Sequence, residues 1–111
     1  MTDEEFEQIV RQTIDSLPKE FLTQLDNVEI VIEDQPPNPR LLGLYRGVPK
    51  TNRGFGYFAL PDKITIYKQP LLRISRNEEE AKKNIRNTVL HEIGHHFGLS
   101  DKELYRIKKN D

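Results

Sequence analysis

The 111-residue sequence contains no cysteine and no tryptophan, one methionine and only three histidines. Without cysteine there is neither a disulfide framework nor a thiolate metal site, so any bound ion is held by nitrogen and oxygen. Apolar runs are also short. Nothing approaches the roughly 20 consecutive apolar residues needed to cross a bilayer as a helix, and no membrane association is expected. The opening MTDEEFEQ is acidic where a secretory signal would be basic and then apolar, which leads to the expectation of a cytoplasmic protein. Hydrophobic residues make up 35% and charged residues 32%, enough for one modest core, and a single domain over residues 1–111 is expected.

A net charge of −1 conceals an uneven distribution. Residues 1–34 carry ten acidic and two basic side chains, residues 35–76 one acidic and eight basic, and residues 77–111 seven of each. Two explanations fit the basic middle: it folds against the acidic first third, or it attracts an anionic partner. Nucleic acid is not expected, because the block has no recognisable binding motif and the chain as a whole is not basic.

Local patterns give the elements. Thr2 and Glu5 form a capping-box pattern ahead of Phe6, Ile9, Val10, Ile14 and Leu17 at helical spacing, so a first helix runs to about Ser16. Pro18 opens a short helical turn in PKEFLTQL. NVEIVIED alternates Val28, Ile30 and Ile32 against Glu29, Val31 and Glu33, the pattern of a half-buried strand. LLGLY is a second strand, ended by the turn residues of RGVPKTNRG, and ITIYKQP is a third, led in by the turn LPDK. Asn77 with Glu80 starts a long helix that ends before Gly98, and Ser100 with Glu103 starts a short last helix.

All three histidines fall within the stretch HEIGHHFGLSD, residues 91–101. With His91 set at zero and 100° per residue, His95 falls at about 40°, Asn84 at about 20° and Thr88 at about 60°. Ile85, Val89, Leu90, Ile93 and Phe97 occupy roughly 120° to 260°, so the apolar face points away from the two histidines, and Glu92 at about 100° lies on the border. Two imidazoles one turn apart can both reach one zinc ion at about 2.0–2.1 Å. A glutamate beside them is placed to take a proton from a water that the metal activates. Gly94 inside the helix costs about 1 kcal/mol relative to alanine, which points to close packing or substrate approach there.

Three-ligand zinc sites keep a fourth position for water, so a third ligand is needed. Asp101 is the favoured residue, in the pattern HExxHxxGxxD, where related enzymes with HExxHxxGxxH place a third histidine. Asp101 also suits the first turn of the last helix, and Glu103 or an upstream acid such as Asp62 remains an alternative. His96 lies about 100° round the helix from His95 and cannot share the same ion in the same geometry. It is expected to be partly exposed, or to support a ligand.

HEIGHHFGLSD, with LLGLYRG and PDKITIYKQPLL upstream, resembles the small bacterial zincin-like metallopeptidase family. The resemblance implies an α+β fold, a small mixed sheet of about three to four strands against a long active-site helix and an N-terminal helix. It also implies Zn2+ held by His91, His95 and Asp101 and Glu92 as general base, but no particular substrate; a peptide or protein substrate is expected from the HExxH chemistry itself. Larger zincins place a methionine turn beneath the metal, whereas the only methionine here is Met1. Three functions are open on this basis: a zinc peptidase, a metal-dependent RNA-processing hydrolase, and a non-catalytic zinc-stabilised module with a regulatory protein partner. A glutamate directly after the first histidine is the peptidase arrangement. For a peptidase, the strand from Lys63 to Lys68 or its neighbour would offer an edge to an extended substrate.

Overall fold

The computed structural model describes residues 1–23, 25, 28–47 and 62–99. Within them the elements run α1 (Asp3–Asp15), α2 (Lys19–Leu22), β1 (Val28–Glu33), β2 (Gly43–Arg46), β3 (Asp62–Tyr67), α3 (Lys68–Arg73) and α4 (Glu78–Phe97). The fold is α+β, with a three-stranded mixed sheet, an N-terminal helix and a long C-terminal helix.

The two long helices begin as their sequences direct. The Glu5 amide donates to Thr2 Oγ1 at 3.1 Å and the Thr2 amide to Glu5 Oε1 at 3.0 Å, a closed capping box. The Glu80 amide donates to Asn77 Oδ1 at 2.8 Å, and Gly98 ends α4 in the left-handed region with φ 70°. Phe6 and Val10 of α1 are buried together with Ile85, Val89 and Ile93 of α4 in one apolar core. Phe21 of α2 meets Phe97 at the end of α4, ring centroids 5.1 Å apart.

In the sheet the order is β1-β3-β2, with β1 parallel and β2 antiparallel to β3. The registers Ile30↔Ile64, Ile32↔Ile66 and Tyr45↔Ile64 put these side chains on one face. Ile64 and Ile66 are completely buried in the same core as α1 and α4. The strand carrying Lys63 is therefore central, paired on both sides, and the sheet formed by the described residues has its margins at β1 and β2. Among the described strands, an extended partner has β1 or β2 to pair with, not β3.

The third strand also ends earlier than its composition suggests. Lys68, Gln69 and Pro70 form the first turn of α3. A proline is tolerated there because a first-turn amide has no partner within the helix. The turn is held to the end of β1 instead: the Gln69 amide donates to the Asp34 carbonyl at 3.0 Å, and Gln69 Nε2 to Asp34 Oδ1 at 2.9 Å.

The charge blocks meet each other. Lys68 pairs with Asp3, and Lys63 stands opposite Glu29 in the β1–β3 register. These placements favour the first explanation of the basic middle, that it folds against the acidic first third.

Candidate metal centre

α4 carries the site in its last two turns. His91 and His95, one turn apart, bring their Nε2 atoms to 3.1 Å, with the rings edge to face and centroids 4.7 Å apart. A tetrahedral ion with zinc–nitrogen bonds of about 2.0–2.1 Å sets two ligand nitrogens about 3.3–3.4 Å apart. The pair therefore fits one zinc ion with only a small opening of the gap. His95 is exposed and His91 half-buried, so the nitrogens face outward from the helix. The chemistry of the donors agrees, since neutral imidazole is a preferred zinc ligand.

Glu92 is buried, 8% exposed, between α4 and β2. A Cβ built on Gly43 would stand 3.0 Å from Glu92 Cγ and 3.0 Å from Thr88 Cγ2, so β2 runs directly along this flank of the helix. The polar stripe of Asn84, Thr88, His91 and His95 is thus divided. Thr88 is covered and donates to the Asn84 carbonyl at 2.9 Å, while Asn84 Nδ2 donates to Ser75 Oγ at 2.9 Å in the α3–α4 turn. At the histidine end of the stripe, His95 is exposed.

His96 departs most from expectation. It is completely buried, and its Nδ1 lies 2.6 Å from Oδ2 of the equally buried Asp62. Tyr45 donates its hydroxyl to the same Oδ2 at 2.7 Å. The Tyr45 ring lies parallel to His95, 15° between planes with centroids 6.2 Å apart, and meets His96 edge-on at 6.2 Å. The signal for His96 lay in the helical angles: the same count puts it at about 140°, inside the apolar arc. Tyr45 and Asp62 gave no comparable signal, because each reaches the site from a strand.

Asp62, weighed from sequence as an alternative third ligand in a turn, opens β3 and holds His96 and Tyr45. Among the described residues no third histidine, aspartate or glutamate joins His91 and His95 in a cluster that would hold an ion. Asp101 and Glu103 lie outside the described residues. Gly94 is buried and lines an apolar gap with Leu17, Phe21 and Phe97.

A family model described as zincin-like metallopeptidase matches residues 25–110. The chain belongs to that family. The match spans β1, the sheet and the whole of α4, so the histidine pair and the strand beside it fall inside the matched region. No curated protein matches the chain. For the zincin-like metallopeptidases the family assignment supports metal-dependent peptide hydrolysis and implies a metal, usually zinc. No helix among the described residues is long and apolar enough to cross a membrane.

Proposed function

We propose that the chain is a zinc-dependent peptidase in which His91, His95 and Asp101 hold the ion and Glu92 is the general base. The observation that carries this reading is the 3.1 Å approach of the two Nε2 atoms, with Glu92 seated beside them against β2. When bound, zinc supplies Lewis acidity, polarising the scissile carbonyl and bringing the pKa of water towards about 7. Glu92 accepts the proton of the attacking water and passes it to the leaving amine. Its burial between helix and strand limits the rotamers from which it can act. β2, the strand beside the site and a margin of the sheet that the described residues form, orients an extended peptide by main-chain hydrogen bonds.

Metal analysis and one variant test the reading. The purified chain is expected to hold about one zinc with three protein ligands. Glu92→Gln is expected to keep fold and zinc while removing most peptide hydrolysis, because an amide does not accept the water's proton. An ion bound away from His91 and His95, or full activity in Glu92→Gln, overturns it. Cleavage of RNA by the parent and not by Glu92→Gln would point to the hydrolase alternative.

A further inference from the structure

Tyr45, Asp62 and His96 have no part in the chemistry just described, yet they form a closed circuit with His95. His95 and His96 are consecutive on α4, Tyr45 comes from β2 and Asp62 from β3. The Tyr45 ring lies parallel to His95, and its hydroxyl is anchored 2.7 Å from Asp62 Oδ2. The same oxygen lies 2.6 Å from His96 Nδ1. Both ends of the circuit therefore return to adjacent residues of one helix.

An exposed imidazole that must hold one orientation to bind an ion loses side-chain freedom on binding, and any contact that restricts it beforehand reduces that loss. His95 is exposed, and among the described residues the rings beside it are those of His91 and Tyr45. Tyr45 is suited to the task because the buried Asp62–His96 pair fixes its far end. Parallel aromatic rings at this separation attract each other modestly beyond the area they bury.

We propose that Tyr45 is a positioning residue that sets the His95 ring for metal binding, with Asp62 and His96 as its buried anchor. The proposal rests on His95 being a zinc ligand. Zinc affinity of the full chain, measured by competition with a chromophoric chelator, tests it together with the visible spectrum of the cobalt(II)-loaded protein. Tyr45→Leu is expected to lower affinity by about tenfold or more and to shift the cobalt bands, in the range typical of residues that orient a ligand. Tyr45→Phe keeps the ring and loses the anchor, and is expected to fall by about threefold with a smaller spectral shift.

Affinity within about twofold of the parent in folded Tyr45→Leu, with unchanged cobalt bands, overturns the proposal. Should that variant fail to fold, Tyr45→Phe decides alone, and an unchanged affinity and spectrum there overturns it. A parent that binds no zinc, or His95→Ala binding zinc as tightly as the parent, overturns the metal-site reading and this proposal with it. Loss in His95→Ala alone, with both Tyr45 variants unchanged, overturns only the role of Tyr45.

Discussion

Gly43 approaches Glu92 so closely that a Cβ placed on the glycine would stand 3.0 Å from the glutamate's Cγ. The same atom would meet Thr88 Cγ2 at 3.0 Å and the Thr65 carbonyl oxygen at 3.2 Å. Alanine at this position gains about 0.4–1 kcal/mol by restricting the unfolded chain. Overpacking in a buried site costs about 1–3 kcal/mol, and one of the three neighbours is backbone of the paired strand, so the cost exceeds the gain. Gly43→Ala is expected to lose roughly 1–2 kcal/mol in a denaturant titration. Peptide hydrolysis should fall more than zinc affinity, because the displaced side chain is Glu92 and not a histidine.

Gly47 makes a harder demand. Its φ is 157°, and a Cβ there would lie 2.4 Å from both Cγ and Oδ1 of Asp62. Asp62 cannot move aside, since it is completely buried and holds Tyr45 and His96. Gly47→Ala is expected to cost about 3 kcal/mol or more, from overpacking together with backbone strain. A melting temperature within about 2 °C of the parent would show that Asp62 has room to shift.

How much of this could be read in advance depends on sequence distance. The helix starts at Thr2 and Asn77 and the stop at Gly98 were legible, because a cap is made by residues three or four apart. The histidine pair was legible for the same reason: its geometry is that of one helical turn. The first strand showed in its alternation and the other two through the turn residues that bound them, but their order did not show, since a parallel β1–β3 pairing with β2 on the far side is decided by packing across the sheet. Pro70 read as the end of a strand, because the start of α3 has no side-chain cap to signal it and is held instead by hydrogen bonds from Gln69 to Asp34, 35 residues away. The hydrogen bonds to Asp62 span 17 residues from Tyr45 and 34 from His96, and no local pattern encodes such a contact.

Glu5 supplies a pH dependence whose sign can be stated. The Thr2 amide donating to its carboxylate, with the Thr2 side chain adding to the effect, holds its pKa below the ordinary value of 4.5. A carboxyl depressed on folding contributes stability that is present above the unfolded pKa and lost as pH falls through the folded one. The melting-temperature difference between the parent and Glu5→Ala should therefore be constant near neutrality and shrink below pH 4.5. A difference that stays constant down to pH 2 would show that the charged form adds nothing to the cap.

Asp101 carries the sharpest expectation for the metal site. If its carboxylate completes the ligand set with His91 and His95, Asp101→Ala removes one of three donors, and zinc affinity should fall by far more than the roughly 10–100-fold typical of losing a residue that only orients a ligand. If it instead meets the dipole at the start of a last helix, the same change costs roughly 0.3–1 kcal/mol of stability and leaves zinc in place. Asp101→His separates the two further, since histidine restores a nitrogen donor at this position of the motif but brings no negative charge to a helix start. Coordination is expected: affinity lost in the alanine variant and partly recovered in the histidine variant, while melting temperatures of the metal-free proteins stay close together. Near-parent zinc binding in Asp101→Ala would move the third ligand to Glu103, because Asp62 is engaged with His96 and Tyr45.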